Sequence, residues 1–140
     1  MTIREQNLET TGAVYVSFKI HQTAGKNDLS DNDISKAVAI IDNYEVGPGS
    51  DGDLLLGKLI DLSLSDADTD GRVATIQIAG VMTLPATATV PSLGDQVIVD
   101  GSGSVKQAPA LGGDDPAGGN IGRGTVIDVN GTSEVTLILN

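Results

Sequence analysis

Cysteine is absent from this chain, and disulfides, thiolate zinc sites and thiol nucleophiles are excluded with it. Tryptophan is absent as well, and the whole aromatic set is Tyr15, Phe18 and Tyr44. A core with so few rings must be assembled from many small aliphatic contacts. Cations are scarce: eight Lys and Arg stand against nineteen Asp and Glu, for a formal net charge of −11. Phosphate backbones are bound by displacing counterions with clustered Lys and Arg. Here the basic residues are scattered singly from Arg4 to Arg123, so neither nucleic acid nor an anionic membrane is an expected partner. No apolar run approaches the length that spans a bilayer. The stretch Met1 to Leu8 is polar and has no apolar segment of the secretory kind, so synthesis in a cytosol without classical secretion is expected.

What is present is Val, Ile, Leu and Ala in short alternating runs, within 140 residues that suit one domain. Residues 1–13 are polar and aperiodic and read as an N-terminal arm, ahead of a single β domain over 14–140. Val14, Val16, Phe18 and Ile20 alternate with Tyr15, Ser17 and Lys19, the period of a half-buried strand. His21 to Asn32 reads as a loop. Ile34, Ala37, Val38 and Ile41 fit a helical stripe, and Ser30 with Asp33 imitates a capping box. The short β-branched run Ala37–Ile41, closed by Asp42 and Asn43, favours a strand instead. Gly47-Pro48-Gly49-Ser50-Asp51-Gly52 is turn chemistry.

Leu54, Leu56, Ile60, Leu62 and Leu64 share one parity, with Lys58 interrupting that face and Gly57 suggesting a bulge. Ala74, Ile76, Ile78, Met82 and Leu84 share another, opposite Thr75, Gln77 and Thr83. Residues 54–84 therefore predict a long hairpin. Pro85 and Pro91 bracket an extended link. A second hairpin follows over 96–107, turning at Asp100-Gly101. Residues 108–122, rich in Gly, Ala, Pro and Asp, predict a mobile loop. The last hairpin turns at Asn130-Gly131, with Val135, Leu137 and Leu139 on its buried face. The sum is an all-β fold, a small β-barrel or β-sandwich of about seven or eight strands, with at most one short helix within 31–42.

Chemistry-bearing motifs are few. Asp66, Asp68 and Asp70, followed by Gly71, match the opening of a calcium loop. The twelfth loop position is Gln77 where a bidentate Glu is needed, and the flanks read as strands, so a solvated acidic turn is expected and no metal. His21 is the sole histidine. It lies near Ser17 and Thr23 with no nucleophile-elbow pattern around it, so a surface histidine is expected. Paired carboxylates lack an aromatic sugar platform. The glycines of 118–124 precede a strand and no phosphate-loop lysine follows. The expectation is a binding or structural protein with no cofactor, not an enzyme.

Several strings carry a family likeness: Lys36-Ala-Val-Ala-Ile40, Asn43-Tyr-Glu-Val-Gly47, Gly52-Asp-Leu-Leu-Leu-Gly57 and Gly71-Arg-Val-Ala-Thr-Ile-Gln-Ile-Ala-Gly80. Leu93-Gly-Asp-Gln-Val-Ile-Val99, Asp100-Gly-Ser-Gly-Ser-Val-Lys106, Gly124-Thr-Val-Ile-Asp-Val129 and Glu134-Val-Thr-Leu-Ile-Leu139 continue it. Over residues 36–140 the chain resembles the small capsid decoration (cement) proteins of tailed bacteriophages. The resemblance implies a β-rich protein made in the host cytoplasm that ends on the outer capsid surface of the virion. Its implied partner is the major capsid protein, and its implied working form is a homo-oligomer, a trimer. On that reading the arm supplies attachment, with Ile3 and Leu8 for apolar pockets and Arg4 for a carboxylate. The competing reading is a ligand- or carbohydrate-binding β module of a surface protein.

Overall fold

A computed structural model of the chain describes residues 10–63, 72–87, 90–110, 113 and 122–140. Among these residues the regular structure is β throughout, apart from one 3-10 turn at Asp31–Asp33. The strands are β1 (Val14–Ile20), β2 (Gln22–Thr23), β3 (Lys26–Asn27), β4 (Ala37–Asp42), β5 (Glu45–Gly47) and β6 (Gly57–Leu62). They continue with β7 (Val73–Pro85), β8 (Val97–Val99), β9 (Val105–Gln107), β10 (Thr125–Asn130) and β11 (Glu134–Leu139). Five strands close a barrel in the order β1-β5-β4-β6-β7, with β7 pairing back to β1. Closure removes sheet edges, the hazard of all-β proteins. Only β1 and β5 run parallel.

β7 serves two structures. Its first half pairs with β1, from Val73 opposite Lys19 to Ala79 opposite Val14. Its second half, Gly80 to Pro85, leaves the barrel and pairs with β11, which in turn pairs with β10. The change of course falls at Gly80, whose φ of +96° belongs to glycine. A Cβ there would stand 2.6 Å from the Thr11 carbonyl oxygen and 2.7 Å from the Ala13 nitrogen. Thr10 N–H donates to the Val81 carbonyl and Val81 N–H donates to that of Thr11, each at 2.9 Å. Residues 10–13 of the expected arm are thus laid against β7. The remainder of the arm, 1–9, lies outside the described residues, as do 111–112 and 114–121 of the expected loop.

Two hydrophobic cores result. Ile20, Val38, Val46, Leu59, Leu62, Ala74 and Ile76 fill the barrel. Met82, Leu84, Val97, Val99, Val105, Val126, Val135, Leu137 and Leu139 form a second core against the barrel's outer wall. β4 is shared: Val38 points into the barrel, while Ala37 and Ala39 face the second core. The alternation of a strand makes one segment serve both. Neither core holds a fully buried ring, as the composition required.

The 33–42 segment is strand over Ala37–Asp42, the reading its β-branched run favoured; other expectations are corrected. The Ser30/Asp33 pair caps only the 3-10 turn, with the Asp33 carboxylate accepting from Ser30 N–H at 2.8 Å. In 54–62 the face is other than the parity implied: Leu55 and Leu59 are fully buried, while Leu54 is 52% exposed. A bulge between Leu59 and Asp61 flips the parity, so Leu62 returns to the core. The bulge is not at Gly57; that glycine instead permits contact with the Gln77 backbone. The last hairpin uses a three-residue loop, Gly131 to Ser133, closed by Asn130 opposite Glu134. In the expected loop 21–32, β2 and β3 pair around Ala24 and Gly25, both at positive φ as a tight hairpin requires.

Candidate functional site

The end of the barrel where β4 turns into β5 is the least buried part of its wall. β4 begins with three buried residues and ends with Ile40, Ile41 and Asp42 exposed. Asp42 pairs with Glu45, and Asn43 and Tyr44 form the turn between them. Tyr44 has a φ of +58° and is 72% exposed. Left-handed backbone costs a side chain with a Cβ about 1–2 kcal/mol, and glycine or asparagine is the usual occupant. The Tyr44 ring stands beside Phe18, with centroids 6.1 Å apart at 41°. Its carbonyl accepts from Lys19 N–H at 2.9 Å, and the Asp42 carboxylate accepts from Asn43 N–H at 2.7 Å. The turn is therefore held from both sides.

His21 lies immediately after β1, beyond the pairing of Ile20 with Val46 in β5. Its N–H donates to the Val46 carbonyl, and its own carbonyl accepts from Asp28 N–H, each at 2.9 Å. Its Nδ1 meets Asp28 Oδ2 at 2.7 Å, tying the β2–β3 hairpin back to the barrel. The hydrogen bond to Asp28 raises the His21 pKa; desolvation opposes it, and the charges of Asp28, Glu45 and Asp42 add to the rise. The stability it contributes is full below the unfolded value near 6.5 and is lost as pH rises through the folded one. The imidazole thus has a structural task, where the sequence suggested only a surface histidine: it is part-buried and bound to Asp28.

The fold also uses up cations. Arg72 bonds Asp31 at 2.9 Å, Lys36 approaches Asp33 at 3.7 Å, and Lys106 pairs with Asp51. Arg123 spends its guanidinium on the carbonyls of Leu55, Leu56 and Ile78. Three of these four groups neutralise one acid each, so the excess of nineteen acids over eight bases persists.

At the β8–β9 turn, Asp100 accepts hydrogen bonds from Ser102 N–H at 2.8 Å and Ser104 N–H at 3.1 Å. The hydroxyls of Ser102 and Thr87 add bonds of 2.9 Å each. Burial pushes its pKa upward, but these donors together outweigh it and hold the carboxyl below its ordinary value. A depressed carboxylate contributes stability above its unfolded pKa, near 3.8, that is lost as pH falls through the folded value. Asp100→Ala is expected to cost roughly 1–3 kcal/mol at pH 7. In urea titrations that deficit should shrink below pH 4. A deficit constant with pH would place the effect elsewhere.

The residues singled out from the sequence fare unequally. Asp66, Asp68 and Asp70 lie outside the described residues, as do Ile3, Arg4 and Leu8. Gln77, the misfit of the calcium motif, is fully buried in β7, and its amide donates to the carbonyls of Ala79 and Val81 at 3.1 Å each. Among the described residues no three His, Asp or Glu gather to hold a metal. Tyr44 went unrecognised in the sequence beyond being one of three aromatics. The available signal was a bulky residue in the turn Asp42-Asn43-Tyr44-Glu45, where glycine is expected. Comparison with known proteins gives no matching family description, no matching curated protein and no matching solved structure.

Proposed function

We propose that this chain is a structural virion protein that binds the outer surface of a bacteriophage capsid and stabilises the shell as a decoration protein. The observation that carries the reading is the run of strand-and-turn strings between Lys36 and Leu139. Most of these strings fall on strands from β4 to β11, Gly52–Gly57 being the turn and approach ahead of β6. The acidic composition is compatible with the reading, since it disfavours contact with packaged nucleic acid. The mechanism is mass action. A ligand that binds only the assembled shell stabilises it, by about 2.7 kcal/mol per site at a hundredfold excess over Kd. No covalent step is involved.

The partner is the major capsid protein, and the decorating unit is a homo-oligomer, a trimer. The segment before Thr10, with Ile3, Arg4 and Leu8, contributes to attachment. The test is co-sedimentation of the purified chain with expanded shells of the capsid protein encoded alongside it. Saturable binding and a higher shell melting temperature are expected. A chain carrying Ile3→Ala, Arg4→Ala and Leu8→Ala should unfold at the wild-type temperature yet bind at least tenfold more weakly. Shells that bind no wild-type protein would refute the reading, and unchanged binding by the triple variant would remove the arm from it.

A further inference from the structure

We infer that Tyr44, backed by Phe18 and flanked by Asp42 and Glu45, is a rigid docking point for the capsid surface. It fits an apolar depression rimmed by Lys or Arg. This rests on the reading of the chain as a decoration protein.

Three observations carry it. The first is conformational. Of the four described non-glycine residues at positive φ, Thr10, Ala24, Ser35 and Tyr44, Tyr44 alone carries a ring, and it is 72% exposed. Departures from local preference are characteristic of functional positions.

The second is composition and rigidity. Two of the chain's three aromatics meet here, and Tyr44 is the most exposed large hydrophobic side chain among the described residues. Tyrosine is enriched among residues that dominate binding energy. This one is preorganised: the Asp42–Glu45 pair closes the turn, Lys19 N–H holds the Tyr44 carbonyl, and Asp42 holds Asn43. A ring already fixed loses little freedom on docking.

The third is charge. The turn itself presents Asp42 and Glu45, and Asp28 lies close enough to act on His21 together with them. Lys19, in register with Glu45, is the sole basic residue of the adjoining β1. A second copy meeting this turn through its own β4–β5 turn would set Asp42 and Glu45 against the same two acids. The complementary occupant is a basic rim around an apolar pocket on a different protein.

Tyr44→Gly tests this directly, with Tyr44→Asn beside it, because both residues accept positive φ and should leave the melting temperature unchanged or raised. Each variant is expected to bind expanded shells at least tenfold more weakly in co-sedimentation. Asp42→Asn with Glu45→Gln should flatten the dependence of binding on salt. Folded Tyr44→Gly protein that decorates shells with wild-type affinity overturns the docking point while leaving decoration intact. Wild-type protein that binds no shells overturns both. Self-association in sedimentation velocity that disappears in Tyr44→Gly would make a second copy the occupant and overturn the inference.

Discussion

Replacing Gly57 with alanine is expected to leave little folded protein. Gly57 opens β6 opposite Val38, in the closed wall of the barrel. A Cβ at this position would stand 2.0 Å from the Gln77 carbonyl oxygen and 2.9 Å from its carbon. Both obstructing atoms are backbone, so no side-chain rotation relieves the overlap. Nor can Gln77 retreat: it is fully buried, and its Nε2 is bound to Ala79 and Val81 across the bend in β7. Overpacking in a core costs about 1–3 kcal/mol and occasionally more. A backbone collision in a ring of strands belongs at the top of that range or beyond it. Urea unfolding should show a loss of about 3 kcal/mol or more, against a total stability of roughly 5–15 for domains of this kind. Where space is free, Gly→Ala stabilises by about 0.4–1 kcal/mol through the unfolded chain. A gain of that size would refute the close approach.

Arg123 is expected to be the second most costly position. It precedes β10 and exchanges two backbone hydrogen bonds of 3.0 Å with Val97. From there its half-buried guanidinium donates to Leu55 O at 3.0 Å, to Leu56 O, and to Ile78 O at 2.7 Å. It thereby joins three separate stretches: the approach to β6, the bend of β7 and the lead into β10. Desolvation lowers its pKa, yet a guanidinium remains charged in proteins. Truncation to alanine removes three charge-assisted bonds and leaves three carbonyls behind. The expected cost is about 2–4 kcal/mol by chemical denaturation, with the m value unchanged. Arg123→Lys should recover less than half, because an ammonium on a flexible stem does not reproduce the planar fork. Full recovery by lysine would mean that the fork geometry is immaterial.

The legible part of this fold was its alternation. Phe18 and Ile20, then Ala74 and Ile76, then Val135, Leu137 and Leu139, follow a period of two and face the cores as that period demands, while Val14, expected on the face of Phe18 and Ile20, is 48% exposed. What was illegible has physical causes. The bulge between Leu59 and Asp61 inverts the face of β6, and no residue there announces it, since glycine was the expected marker. β2 and β3 are two residues each and held by a turn and a His–Asp contact, so no hydrophobic pattern reveals them. That β4 would wall two cores at once follows from closure, a long-range property. The run Ala37-Val38-Ala39 is apolar on both faces for that reason, which is why a helical stripe also fitted it although its β-branched character favoured strand.

The candidate site divides in the same way. Asp100 at a turn and His21 outside any catalytic pattern were foreseeable from residue type and neighbours. Tyr44 was not, because its significance lies in a backbone angle and in its position beside Phe18. Arg123 looked like one more scattered cation. Only the fold brings the carbonyls of Leu55, Leu56 and Ile78 to it.

The proposed decoration role requires that the chain bind an assembled shell. Electron microscopy of expanded shells incubated with the purified chain tests it most directly. The account predicts added density at fixed positions on the outer surface, with the β4–β5 end of the barrel directed at the shell. Bare shells at saturating protein concentration would contradict it.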